Sequence, residues 1–225
     1  MSIRLAISVE GLTEERFVKD LLQPHLLKWD IHATPVIVAT SRSAGGIKFK
    51  GGGATVERVG NELRSLLRGY RDGYVTSFYD YYGFGGRLPG ETVEALEERI
   101  SATLAYPSNL ISYIQLHEFE GLLFSAPVAV ADYFNAPMLA NVIERLVREK
   151  HGPENVNDGP ETAPSKRLER MTANLGRSYS KTTKALHGPL LAARLTLPVI
   201  RAACPRFGDW LTRLEVLTPR ASVAV

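Results

Sequence analysis

The sequence predicts an α/β protein: a mostly parallel sheet flanked by helices, followed by a helical carboxyl-terminal extension. Three observations predict it. Short apolar runs rich in β-branched residues alternate with segments of helical apolar spacing through about residue 130, the pattern of a parallel sheet covered by helices. Acidic residues recur where those runs end. Beyond residue 130 the strand signals stop while helical spacing continues, so the core is expected over 1–130 and a helical extension packed on it over 131–225.

The first apolar run, 3-IRLAI-7, extends to residue 9 as a strand. A helix follows over 13–28, with Phe17, Leu21 and Leu22 at helical spacing, Thr13 as the expected N-cap and Arg16 rather than a glutamate at the capping-box position. The stretch 34-TPVIVAT-40 is β-branched and too short for a helix, which makes it the second strand. A glycine-rich basic loop, 41-SRSAGGIKFKGGG-53, leads to a helix over 54–69 whose Val56, Val59, Leu63, Leu66 and Leu67 form one stripe. The third strand, 74-YVTSFYDYYG-83, ends at Asp80. A helix over 91–105 and a fourth strand, 110-LISYIQL-116, lead into 117-HEFEGLLF-124. Helical patterns at 128–151 and 190–216 flank 152-GPENVNDGPETAPSKR-167, a polar segment punctuated by Pro and Gly and expected to be a loop.

With 225 residues, 44% of them hydrophobic, the chain can bury a real core. No apolar run approaches the ~18 residues of a membrane span, and the start lacks the basic-then-apolar pattern of a signal peptide, so the expected location is the cytoplasm. Cys204 is the single cysteine and is expected as a core filler beside Leu197, Ile200 and Ala203. The net charge of +3 does not announce a nucleic-acid binder, but its distribution is uneven. Arg42, Lys48 and Lys50 lie in a loop without acids, and from Ala163 onward 11 Lys and Arg face three acids. Those regions either form a basic surface for a polyanion or are a solvated face and a plain loop. Neither a GxxxxGK[ST] nor a GxGxxG spacing is present, which argues against ATP binding by either familiar route.

Ligands of open parallel sheets sit at the carboxyl ends of the strands, where loops converge. Glu10, Asp80, and Glu118 with Glu120 all fall at such ends. Crowded carboxylates repel one another and call for a cation, and hard ions such as Mg²⁺ or Mn²⁺ prefer oxygen ligands. Gly11 suits the opening turn through its backbone freedom. Glu14 lies four residues from Glu10 and faces the same way, whereas Glu15 is rotated by ~100° toward solvent. The plainer alternative is that these acids complement a helix N-terminus. The stretch 117-HEFEG-121 resembles half of a zinc-protease motif, with Gly121 where a second histidine belongs. Taken helically, it puts His117 and Glu120 on one face, Glu118 on another, and Phe119, Leu122 and Leu123 in the buried stripe. Tyr79 is expected to pack; Tyr81 and Tyr82 either pack or stack on bases.

Five stretches, 10-EGLTEE-15, 79-YDYYGF-84, 117-HEFEGLLF-124, 163-APSKRL-168 and 203-ACPRFGDWL-211, together resemble the Toprim superfamily, in particular the bacterial Toprim-like family known as domain of unknown function 4276. The resemblance implies a Toprim-like core related to nucleases of the overcoming-lysogenization-defect (OLD) type and to Toprim subunits of two-gene phage-defence systems. In those groups a glutamate after the first strand and an Asp-x-Asp pair after a later one bind divalent metal for phosphodiester chemistry. Glu10 and Glu14 match the glutamate motif and Asp80 the first aspartate, while Tyr82 stands at the second aspartate position.

The combined expectation is a nuclease dependent on Mg²⁺ or Mn²⁺, acting on DNA or RNA with a separate ATPase subunit in phage defence. Glu10, Glu14, Asp80 and Lys166 are its expected catalytic residues, and Glu10, Asp80, Glu118 and Glu120 its metal ligands. Arg42, Lys48, Lys50, Lys166, Arg167, Lys181 and Lys184 are expected to contact nucleic acid. The alternative is a non-catalytic Toprim-like subunit that binds an ATPase partner, nucleic acid, or both.

Overall fold

A computed structural model describes residues 2–38, 42–43, 46–47, 54–157, 159, 161–180 and 182–220. The chain divides into two compact units, Met1–Ile114 with Arg213–Val225, and Gln115–Thr212.

The first unit is built on parallel pairing. Strand β1 (Ile3–Val9) is buried at every position but Arg4, as a strand covered on both faces must be. On one side it pairs with β2 (Ile31–Ile37) from Ile3↔Ile31 to Val9↔Ile37. On the other it pairs with β5 (Tyr74–Asp80) from Leu5↔Tyr74 to Val9↔Phe78. Strand β6 (Leu110–Ile111) pairs with β5 in turn, giving the order β2-β1-β5-β6, and β7 (Ile114–Gln115) also pairs with β5. The expected fourth strand is thus two short pieces. Between them the Ser77 hydroxyl replaces the backbone ladder, donating to the Tyr113 carbonyl (2.9 Å) and accepting its N–H (3.0 Å).

The segment between β1 and β2 is helical throughout but changes pitch: α1 (Leu12–Phe17), a π-helical stretch (Val18–Leu22), α2 (Gln23–Leu26) and a 3₁₀ turn (Leu27–Trp29). Pro24 offers no N–H and its ring crowds the carbonyl four residues back, so a widened turn ahead of it relieves both problems. Gly11, not Thr13, is the N-cap, and it makes no side-chain cap bond; Thr13 is buried inside the first turn. The second strand begins at Ile31 rather than at residue 34. The loop expected over 41–53 contains a small antiparallel hairpin, β3 (Arg42–Ser43) with β4 (Gly46–Ile47). Lys48 and Lys50 lie outside the described residues.

Helix α3 (Val56–Gly69) starts where the Thr55 hydroxyl accepts the Arg58 N–H, and α4 (Val93–Thr103) where Thr92 does the same for Ala95. The chain's last described residues return to this unit: the Tyr74 hydroxyl donates to the Thr218 carbonyl, and His25 lies 2.5 Å from Glu215.

In the second unit the described elements are helical: α5 (Glu120–Leu123), α6 (Pro127–Phe134), α7 (Met138–Glu149), a 3₁₀ turn (Pro153–Asn155), α8 (Pro164–Thr172), α9 (Lys184–Ala192), α10 (Leu197–Ala203) and most of α11 (Pro205–Glu215). The pattern at 128–151 breaks at Asn135, whose left-handed backbone (φ 52°) ends α6 two residues before Pro137. The expected loop 152–167 holds the 3₁₀ turn and the start of α8. Phe119, Leu122, Leu123, Ile200, Phe207 and Trp210 are buried here. So is Cys204, whose thiol is pushed far above its ordinary range by burial, as befits an inert core filler. Among the described residues no helix is long and apolar enough to cross a membrane.

Glu154 resolves the start of α11. Its two carboxylate oxygens accept the Arg206 and Phe207 N–H groups, each at 3.0 Å, which an α-helix leaves unpaired at its first turn. Burial nevertheless raises the Glu154 pKa above the ordinary 4.5, outweighing the two N–H donors. The folded state therefore holds this proton more tightly than the unfolded chain, so the contribution is complete below pH 4.5 and is lost as pH rises through the folded value. Glu154→Gln cannot titrate. Denaturant titrations of both proteins from pH 4 to pH 7 should show the variant gaining on the wild type as pH rises; a difference that is flat across that range refutes the assignment.

Candidate functional site

The order β2-β1-β5-β6 contains one reversal. From β1 the chain crosses to β2 on one side, and from β5 it crosses through α4 to β6 on the other. Between β1 and β5 the two crossovers diverge, and it is beyond the carboxyl ends at such a switch point that open α/β sheets bind ligands. Glu10 is the first residue past β1 and Asp80 is the last of β5, so the two carboxylates flank this switch point.

Beneath them lies a buried hydroxyl pair. Ser8 Oγ and the Tyr79 hydroxyl are 2.5 Å apart, and Tyr79 is fully buried. Burial lifts the phenol well above its ordinary value, the Ser8 bond offsets part of that, and the charges of Glu62 and Glu10 lift it further. Tyr79 is consequently a neutral packing residue, as its sequence position predicted. Its neighbour Phe78 meets Phe17 of α1, ring centres 5.8 Å apart.

Glu62 was not anticipated. It lies on α3 three residues after Val59 and four before Leu66, at the edge of the apolar stripe, and burial raises its pKa. A carboxylate bordering the stripe was the available signal. Its charge, like that of Glu10, raises the pKa of the same phenol.

Gly11 serves differently from the expectation. Its backbone is extended (φ −158°), a conformation open to any residue, so no special angle is needed. What matters is approach: a side chain there would place its Cβ 3.3 Å from Glu14 Oε2, because Glu14 folds back over the turn. Glu15 instead pairs on the surface with Lys19 at 2.6 Å.

The loop after Asp80 is held firmly. Gly83 takes a left-handed backbone (φ 81°), and the Gly85 N–H donates to the Ala54 carbonyl at 2.6 Å. Arg99 forks onto both oxygens of Glu91, each at 2.7 Å, and reaches the Gly86 carbonyl at 2.9 Å. Those bonds hold the Glu91 carboxyl below its ordinary range. The Tyr81 hydroxyl donates to the Glu91 carbonyl while Arg87 covers its ring at 4.2 Å, so Tyr81 orders the loop. Tyr82 is half-buried.

The remaining expected residues belong to the second unit. His117 has a left-handed backbone (φ 64°) and α5 begins only at Glu120, so the helical face expected for 117–120 does not form; Phe119, Leu122 and Leu123 are buried as expected. Glu118 accepts both the N–H (2.8 Å) and the hydroxyl (3.1 Å) of Ser165 at the start of α8. Burial raises its pKa, Glu120 adds to the rise, and Ser165 and Lys184 oppose it. Glu120 is buried and accepts the Tyr179 hydroxyl at 2.7 Å. Lys166 bonds Glu169 at 3.0 Å, and its raised pKa, due mainly to Glu169, owes a last contribution to Glu118. Arg167 donates to the Thr162 carbonyl at 2.7 Å. Lys184 is exposed on α9, and Lys181 lies outside the described residues.

Among the described residues, no three or more His, Cys, Asp or Glu side chains gather closely enough to hold a metal ion by themselves. Mg²⁺ does not require that, because it keeps several waters and commonly binds through one or two carboxylates plus substrate phosphates. Glu10 and Asp80, two hard oxygen donors at neighbouring strand ends, fit that kind of site.

Fold and site together define an α/β protein with an acidic switch point on a parallel sheet. The chain belongs to the family described as Domain of unknown function (DUF4276), whose model matches residues 9–215. A solved structure of the C-terminal region of the Xanthomonas campestris pv. campestris OLD protein is similar to it at 16% identity, covering 94% of this chain and 95% of that one, with a TM-score of 0.38. No curated protein matches the chain.

The Ser8–Tyr79 pair under the site can be tested by a double-mutant cycle. Ser8→Ala or Tyr79→Phe alone strands one buried hydroxyl and should cost about 1–3 kcal/mol in chemical denaturation, whereas the double variant should be far closer to wild type than the sum. Additive losses would mean that the two hydroxyls are not coupled.

Proposed function

We propose that the chain is a metal-dependent nuclease that hydrolyses phosphodiesters of DNA or RNA, and that it serves as the effector of a phage-defence system together with a separate ATPase. The observation that carries this reading is the pair Glu10 and Asp80 flanking the switch point of the parallel sheet. In the Toprim superfamily, which these stretches resemble, a glutamate and an aspartate after the corresponding strands bind the catalytic metal. Here Glu10 and Asp80 would hold Mg²⁺ or Mn²⁺. The bound ion supplies Lewis-acid polarisation of a phosphate oxygen and a more acidic water. Glu14, folded back toward Gly11, keeps a further carboxylate at the same turn. The rigid 81–91 loop holds Asp80 in place without waiting for substrate. In the second unit, Lys166, Arg167 and Lys184 are proposed to contact backbone phosphates, which secures affinity without reading sequence.

A specific observation favours a second reading. Tyr82 stands where the resemblance places the second aspartate, and no three ligands converge among the described residues. A non-catalytic subunit that binds the ATPase and nucleic acid would need neither.

The readings separate on a mixed DNA and RNA panel incubated with Mg²⁺ or Mn²⁺, with and without the ATPase. Glu10→Gln and Asp80→Asn should each lower turnover by about 100-fold or more while the fold survives, and the double variant should be little worse than either. If the wild type with ATPase and Mn²⁺ cuts nothing, and Glu10→Gln still binds the ATPase, the subunit reading replaces the nuclease.

A further inference from the structure

Two arginines of the second unit share one aromatic ring; both fall in the basic region from Ala163 onward, though neither was singled out for contact with nucleic acid. The Arg177 guanidinium lies 4.8 Å and the Arg194 guanidinium 5.2 Å from the centre of the Tyr133 ring. Among the described residues neither forms an ion pair with a carboxylate. Gathering two cations without an acid costs free energy unless something negative joins them.

The ring beneath is packed and hydrogen-bonded. Tyr133 is buried, its ring meets Phe134 edge-on at 5.0 Å and His187 at 5.7 Å, and its hydroxyl is 2.6 Å from His187 Nδ1. Arg177 is fixed further by donating to the Tyr133 carbonyl at 2.6 Å. His187 is buried, and burial together with Arg177 lowers its pKa, so at neutral pH it brings neither a third positive charge nor a countercharge. Both arginine residues are exposed, unlike the ring. Arg177 spends one N–H on the Tyr133 carbonyl and Arg194 has no described side-chain hydrogen bond, so both guanidinium groups keep N–H donors of the kind that pair with phosphate oxygens. Because the Tyr133 ring is buried and flanked by the two cations, the cluster offers no platform for stacking a base.

We infer that Arg177 and Arg194, held on the Tyr133 ring, form a phosphate-binding site that takes the sugar–phosphate backbone of a nucleic acid. The inference deepens the nuclease reading and rests on it for the choice of carrier; the phosphate chemistry itself rests on the arginine pair. The site holds the backbone of whatever sequence is presented and selects no base.

The test measures binding, not cleavage, in the full chain. Fluorescein-labelled single-stranded DNA and RNA are titrated by anisotropy with metal chelated, at several salt concentrations. Arg194→Ala is the decisive variant, since its described contact is with the ring face alone; Arg177 also secures a backbone carbonyl, so Arg177→Lys accompanies it as the milder change, and thermal melts verify folding. Arg194→Ala should weaken binding by about tenfold, and Arg194→Glu by more. It should also flatten the slope of log affinity against log salt by about 0.7, the value for one lost single-strand phosphate contact. A folded Arg194→Glu protein with wild-type affinity and slope overturns the inference. Inorganic phosphate and a mononucleotide serve as competitors: if either displaces the oligonucleotide as well as unlabelled oligonucleotide does at equal phosphate concentration, the site takes free phosphate and the backbone assignment fails. Loss of binding in Arg194→Glu beside a wild type that cuts nothing would uphold this site and sink the nuclease. Intact binding in Arg194→Glu beside cleavage abolished by Glu10→Gln would do the reverse.

Discussion

The parallel pairing of β1 with β5 is the constraint on which the rest of the first unit depends. Leu5, Ala6, Ile7 and Val9 are wholly buried, and they lie on both faces of the sheet, so a slip of one residue would exchange the side chains packed against the two covering layers and spoil the fit of each. That penalty fixes the register, and the register sets where both strands end. Glu10 and Asp80 therefore inherit their positions from apolar burial, not from any attraction between themselves, which as like charges they lack. A site that repels its own members has to be assembled by something else, and here the sheet core does it.

Much of this was legible in the sequence because it follows from local pattern. β-branched runs give the strands, and a carboxylate after such a run gives Glu10 and Asp80. The parts that were not legible depend on partners remote in sequence. The division of the fourth strand follows from the Ser77 hydroxyl taking over the ladder at Tyr113, which nothing near residue 113 announces. The π-helical stretch answers to Pro24, and the proline was in view, but the choice between a kink and a widened turn is made by packing. Glu62 is the intermediate case: its place at the edge of an apolar stripe is visible in the sequence, but its neighbour Tyr79 is 17 positions away. The Arg177–Arg194 pair was illegible for the same reason, since its organiser, Tyr133, lies far upstream.

The two units treat their buried acids with different means. In the second, Glu118 and Glu154 accept N–H groups at helix starts and Glu120 accepts a phenol, so each carboxylate has a named structural duty. For Glu118 and Glu154 this is the helix-terminus role that the sequence allowed as an alternative for the acids of the first turn, where Glu14 and Glu15 stand at the start of α1. In the first unit the Tyr79 phenol, bonded to Ser8, stays neutral between Glu62 and Glu10, adding no third negative charge beneath the strand ends.

The Arg99–Glu91 fork has one more consequence, in the thermodynamics of encounter. A loop that must order itself around a ligand charges that ordering to affinity and shows it as an unfavourable binding entropy. The 81–91 loop, tied by Arg99 to Glu91 and Gly86 and by Gly85 to Ala54, has already surrendered that freedom when the chain folds. A ligand docking at the Asp80 end would meet a prepared surface and would not bear that ordering cost.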